Sequence, residues 1–344
     1  MTKRLITRAP GLIGRRSFLR TSGAAVAATG LGGFTGVRKA FAQDYPSRNI
    51  DIVIPTGEGG GADRDARAFT SVWGKHLNTN FQFGYFPGAA GQVGYEFYMD
   101  REPDAYSLLF ANLGPEIIML ALQDTGIEVG RDIVFIQQTL SEPMAVWVGP
   151  NSPIRTLEEL VELGRSRPIT VATSRLPHPA SIGMLALGEA MGMEIVLVPY
   201  GGGNPTAMAA ITQETDCAAL PVTNTIVLDD QAHVLGLFAD ENVAPEGTDN
   251  APTVNDALGT SIPELTSSRA WGVHRAAYDA HPDRIAALVE SMEATLADPD
   301  YTAAVEAAGV PTVFIDPGDE ARAMASAAAT TELARRYRDL LTGS

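Results

Sequence analysis

The chain has 344 residues, with 25 Lys and Arg against 41 Asp and Glu and a formal charge of −16. So acidic a surface repels polyanions, which makes nucleic acid and anionic membranes poor partners and leaves any bound anion to be held by local groups. A single cysteine, Cys217, excludes an intramolecular disulfide; in its apolar run it reads as a buried structural thiol, so stability must come from the core.

Residues 1–42 read as an export address rather than as fold. Lys3, Arg4 and Arg8 precede Arg15-Arg16-Ser17-Phe18-Leu19-Arg20, the order of a twin-arginine signal. The apolar stretch 21–34 is built mostly of Ala and Gly and is shorter than the roughly 20 strongly apolar residues that span a bilayer. Ala40-Phe41-Ala42 then offers small residues for cleavage after Ala42, giving a periplasmic product. This segment holds eight basic residues and no acidic one, so its loss leaves 17 basic against 41 acidic residues, a charge of −24. About 300 residues remain, which suits two domains.

From residue 49 onward, short β-rich runs alternate with amphipathic stretches, the pattern of an α/β protein with a mainly parallel sheet. A strand is predicted over 50–54, then Gly57-Glu58-Gly59-Gly60-Gly61 leads to Asp63 as a helix cap, and Ala66, Phe69, Trp73 and Leu77 mark one buried helix face. A strand near 81–83 leads through Pro87-Gly88-Ala89-Ala90-Gly91 to a helix starting near Gln92. Further strands are expected over 107–111 and 145–148. Thr156-Leu157-Glu158-Glu159 is a capping box.

A second domain follows, with strands over 169–172, 194–198, 217–220 and 234–238 and helices over 181–191 and 205–212. Residues 239–253 look like a crossing back. The tail is mostly helical, with a helix face at Ile285, Leu288, Val289, Met292 and Leu296, an edge strand over 310–315 and a closing helix from Glu320. The expected division is 43–145 plus 240–344 for one domain and 146–239 for the other.

Glycine N–H groups at a helix start attract anions, and the loops 57–63 and 87–94 both follow strand-like runs. In an open α/β sheet such loops lie at the strands' carboxyl ends, where ligands bind. No Gly-Lys-Ser/Thr supports a triphosphate, and the first loop lacks dinucleotide-fingerprint spacing. The five histidines show no metal-ligand spacing, and no Gly-x-Ser-x-Gly elbow is present. Arg175-Leu176-Pro177-His178 is the one basic element in a ligand-facing loop, and guanidinium and imidazole suit carboxylates. Tyr200-Gly201-Gly202-Gly203-Asn204-Pro205 adds a third glycine turn before a helix, in the second domain. Loops from two domains facing one cleft describe a clamshell that closes on its ligand.

These loops carry a resemblance. Tyr45-Pro46-Ser47-Arg48, a strand ended by Pro55, then Gly59-Gly60, Asp63 and Arg67 resemble the opening of the substrate-binding receptors of tripartite tricarboxylate transporters, the Bug receptors. Pro87-Gly88-Ala89-Ala90-Gly91 with Gly94, Pro103-Asp104-Ala105-Tyr106-Ser107-Leu108-Leu109, and Pro199-Tyr200 with Gly202 and Pro205 are similar to further family segments in the same order. The resemblance implies a type II periplasmic-binding-protein fold with crossover strands. It also implies a ligand carboxylate held by loop N–H groups and ordered water, no cofactor, and delivery by a monomer to a permease of a large and a small membrane subunit. The candidate ligand-binding set is Gly59, Gly60, Ala62, Asp63, Ala89, Gly91, Gln92, Thr173, Ser174, His178, Ser181, Tyr200 and Gly202.

Thr56 and Glu58 stand where the family often has an aromatic residue and a proline, and Tyr85-Phe86 replace a usual Asn-Arg. An acidic group beside an anion site raises the cost of binding a carboxylate, so Glu58 is expected to turn outward. Three readings stay open: a transport receptor for an organic acid, a receptor feeding a membrane sensor, and an exported enzyme whose catalytic motif the sequence does not display.

Overall fold

The computed structural model describes residues 45–342; the predicted export signal and the cleavage site lie outside them. The first half begins with β1 (Ile50–Ile54), α1 (Gly61–Leu77), β2 (Phe81–Tyr85), α2 (Gln92–Met99), β3 (Ser107–Asn112) and α3 (Pro115–Leu122). The 16-residue β4 (Ile133–Val148) leaves it. The second half contains α4 (Leu157–Ser166), β5 (Ile169–Thr173), α5 (Pro179–Met191), β6 (Ile195–Pro199), α6 (Gly203–Ile211), β7 (Cys217–Pro221), α7 (Val222–Ile226), β8 (His233–Phe238) and α8 (Val254–Leu258). The chain returns through β9 (Thr266–His274) and ends with α9 (Arg275–Ala280), α10 (Pro282–Leu296), α11 (Pro299–Ala307), β10 (Ile315–Gly318), α12 (Glu320–Arg336) and α13 (Arg338–Thr342).

Strand order is β2-β1-β3-β9-β4-β7-β5-β6, with β8 and β10 also on β4. The directions of the strands place the functional loops. Strands β1, β2 and β3 are mutually parallel, and β3 is antiparallel to β9, which is antiparallel to β4, so this set runs the same way as β4. Strands β5, β6 and β7 are mutually parallel, but β7 is antiparallel to β4, so the second set runs the other way. Their carboxyl ends therefore meet midway along β4: Arg269, opposite Asn112 at the end of β3, pairs with Leu140, and Pro221 at the end of β7 pairs with Met144.

Core packing follows the apolar spacing. The predicted face of α1, Ala66, Phe69, Trp73 and Leu77, is buried, and the Trp73 indole donates to Ser291 Oγ at 2.8 Å. Phe69, Trp73, Phe110, Trp271 and Tyr301 pack in a ring cluster, each worth about 1.5–3 kcal/mol of burial or more. Thr156 caps α4 as expected, its Oγ1 accepting from Glu159 N–H at 3.2 Å, although Glu159 reaches back one residue further, to Arg155 N–H. Cys217 is fully buried in β7, and burial raises its thiol pKa.

Three expectations need correction. The cap of α1 is Gly60; Asp63 sits inside the first turn and accepts backwards from Gly59 N–H at 2.8 Å. The edge strand lies at β10, not 310–315, because left-handed Gly309 and Pro311 divert the chain into a 3-10 turn first. Strand β9 and the first twelve residues of β4 have no counterpart in the sequence reading. Among the described residues, no helix is long and apolar enough to cross a membrane.

Candidate ligand-binding site

A cavity of ≈ 270 Å³ opens where the two sets of strand ends meet. The 56–62 loop and the start of α1 form one wall, and Ser174, Arg175, His178 and the 201–205 turn form the other. Asn112, Pro115 and Arg269 lie between them, with Pro221 and Asn224 beyond.

The β1 loop is held from behind. Asp63, almost fully buried, accepts from Gly59 N–H, from Arg67 Nε at 2.6 Å and from the Tyr85 hydroxyl at 2.6 Å; that hydroxyl in turn accepts from Arg67 Nη2 at 2.7 Å. Burial, then Asp63, pushes the Tyr85 phenol up to about 12. The unusual Tyr85 is thus a strut for the loop. Glu58 stands at the rim of the cavity, its side chain 71% exposed and its carboxylate 3.7 Å from Arg67. With the loop fixed, the first N–H groups of the 17-residue α1 have no partner inside the helix and carry its positive end. The start of α6, across the gap, presents the N–H groups of Gly203 and Asn204, since Pro205 has none, and Asn204 Nδ2 donates to the Gly59 carbonyl at 3.2 Å and joins the two walls.

Arg269, on β9, is 2% exposed. Its Nε donates to Asp65 at 2.9 Å, its Nη2 to Glu142 at 2.7 Å and its Nη1 to the Asn112 side-chain carbonyl, so α1, β3, β4 and β9 share one ionic knot. Glu142 also accepts from Thr223 N–H at 3.0 Å, extending the knot to α7. Burial works against the guanidinium's charge, but Asp65 and Glu142 more than offset it and raise its pKa.

Arg175 is handled differently. Thr173 Oγ1 and Ser181 Oγ, both fully buried, donate to its carbonyl at 3.1 and 3.2 Å and fix the loop. Its Nη1 donates to the Ala90 carbonyl at 2.7 Å, and burial pulls its pKa down against the support of Glu116. His178 caps α5: its Nδ1 accepts from Ala180 N–H at 3.1 Å, which puts the proton of the neutral ring on Nε2. Burial, then Arg175 and Arg269, drives its pKa down to about 3, so the imidazole is a neutral donor at physiological pH. Behind the wall, Glu116 is fully buried, and burial pushes its carboxyl up to about 7 against the pull of Arg175, Asn112 N–H, Tyr95 and Arg269.

Of the predicted set, Gly60, Ala62, Ser174, His178 and Gly202 line the cavity. Gly59 lies just behind, Asp63 braces the loop, and Thr173 and Ser181 sit beneath Arg175. Tyr200 donates its N–H to the Thr173 carbonyl at 2.9 Å, and its phenol engages Glu214. Ala89, Gly91 and Gln92 do not line the cavity; Gln92 bonds Glu96 within α2, and the loop touches the site through the Ala90 carbonyl. Sequence reasoning missed Asn112 and Asn224, and it missed Arg269, whose partners lie 204 and 127 residues away with no local signal.

The family model "Tripartite tricarboxylate transporter family receptor" matches residues 74–333. A UPF0065 protein of Bordetella bronchiseptica is 28% identical over 173 residues, 49% of this chain and 51% of that protein, so the match spans about half of the relative. Two solved structures share the fold. Rpa4515 of R. palustris with adipate has a TM-score of 0.75 at 18% identity over 87% of this chain and 99% of that one. MatC of Rhodopseudomonas palustris with bound malate has a TM-score of 0.70 at 18% identity over 86% and 100%. The fold is the two-domain α/β fold of periplasmic binding proteins, and the chain belongs to the family of tripartite tricarboxylate transporter receptors.

Proposed function

We propose that this chain is a periplasmic solute-binding protein that captures a small organic acid by its carboxylate, closes around it and delivers it unchanged to a tripartite tricarboxylate-type permease. The observation that carries this reading is the convergence of two helix starts, α1 and α6, on one cavity that also holds guanidinium groups and a neutral imidazole donor. Oriented N–H groups and fixed cations complement a carboxylate and need no reorganisation when it arrives. The adipate and malate of the two structural relatives fit the same chemistry.

Closure is a rotation of the half that holds α4 to α8 against the half that holds β1 to α3, about the two crossings near Pro143 and Leu265, supported by the strand reversal at β4. Receptor rather than enzyme is the reading because the family matched is one of receptors, and among the described residues His178 is held neutral and the Cys217 thiol is buried in β7. The test is a thermal-shift screen of residues 43–344 against mono-, di- and tricarboxylates, aromatic acids and amino acids, with each hit analysed for chemical change. A ligand at 100 times its dissociation constant adds about 2.7 kcal/mol of stability. One acid class that stabilises and survives intact supports the proposal; no shift from any acid, or conversion to product, overturns it.

A further inference from the structure

Arg175 has more hydrogen-bonding capacity than the protein uses. Among the described residues its one acceptor is the Ala90 carbonyl, which takes Nη1; Nε and Nη2 bond to no protein group, and no carboxylate forms an ion pair with it. Arg175 is half-buried and its unbonded donors face the cavity, whereas the Arg269 knot shows that this fold supplies carboxylates where it encloses a guanidinium fully.

The loop after β2 is shaped to hold this one bond. Ala90 has φ 59° and Gly91 φ 106°, and a Cβ on Gly91 would lie 3.2 Å from Arg175 Nη1 and 3.2 Å from the Pro55 carbonyl, so the loop admits the guanidinium there because residue 91 has no side chain. Pinning one edge of the planar fork leaves its other donors available on the cavity wall, where Arg175 stands beside the Nε2 donor of His178. Glu116, the strongest support for the charge of Arg175, is itself only partly ionised at neutral pH, so it does not neutralise the site fully.

We infer that Arg175 is a specificity-determining residue that takes a second anionic group of the ligand, so that the protein selects acids with two anionic ends over monoacids of the same length. This rests on the proposed capture of one carboxylate at the starts of α1 and α6.

The experiment is isothermal titration of residues 43–344, wild type, Arg175→Gln and Arg175→Lys, with succinate, malate, glutarate and adipate, each paired with its monomethyl ester. Circular dichroism and thermal midpoints confirm that the variants fold. Wild type is expected to prefer at least one diacid over its ester by about 30-fold or more, Arg175→Gln to lose about 100-fold for that diacid and under about threefold for the ester, and Arg175→Lys to fall between. Equal losses for diacid and ester, or a preference that survives in Arg175→Gln, overturn the inference and leave carboxylate capture standing. If wild type binds none of these acids or esters, the inference falls, while carboxylate capture is decided separately by the wider thermal-shift panel.

Discussion

The two cationic regions of the cavity treat a guanidinium in opposite ways. Arg269, between the walls, is enclosed by Asp65, Glu142 and Asn112 and knots four elements together. Arg175, on the wall, has one carbonyl and is left short of an anion. Burial penalises both, but only the first is compensated from within the protein. The difference separates architecture from recognition: a cation whose partners are all internal holds the halves in register, whereas one oriented but unpaired is waiting for a ligand.

Arg269→Met breaks this comparison most severely. It strands Asp65 and Glu142 in the interior, and urea unfolding should show a loss of about 3–5 kcal/mol. Arg175→Gln, in contrast, should cost under about 1 kcal/mol and express itself in affinity; a loss as large as that of Arg269→Met would make Arg175 structural.

Glu116 sharpens the contrast through pH. Its folded pKa of about 7 lies above the unfolded value, so its contribution to stability is fully present below about pH 4.5 and is lost as pH rises toward 7. Glu116→Gln has no such loss, so the stability of the variant relative to wild type should rise by on the order of 2 kcal/mol between pH 4.5 and 8 in denaturant titrations. In an Arg175→Gln background the bend should move to higher pH, because Arg175 is the strongest influence holding Glu116 ionised.

Asp63→Asn tests the brace behind the β1 loop. The amide keeps an acceptor for Gly59 N–H but loses the charge facing Arg67 and Tyr85, so about 1–2 kcal/mol of stability and some affinity should go together. The smallest effect belongs to Glu58→Gln. An exposed carboxylate 3.7 Å from Arg67 is worth under about 0.5 kcal/mol, and an affinity change beyond about tenfold in calorimetry would place Glu58 against the ligand instead.

Local chemistry made much of the fold legible. The face of α1 and the Thr156 cap are set by residues within a turn or two of one another. The hidden elements depend on distant partners. Thr266–His274 mixes Ser, Arg and Gly with its apolar residues because β9 crosses the site and must present Arg269 to Asp65 and Glu142, so its pattern is that of a binding surface rather than a strand. The same applies to the site. Gly60, Ala62 and Gly202 are readable as loop glycines and their neighbours, but the use of the β2 loop as a clamp for Arg175, and of Tyr85 as a strut, emerges only when strands far apart in sequence lie side by side.

The most direct measurement is a crystal structure of residues 43–344 with the acid that stabilises them most. The account predicts a carboxylate whose oxygens lie within about 3.2 Å of backbone N–H groups at the starts of α1 and α6, with both walls closed on it. An acid seated instead in the ≈ 800 Å³ cleft beside Gln138, Glu264 and Arg322, or bound to one wall alone, would contradict it.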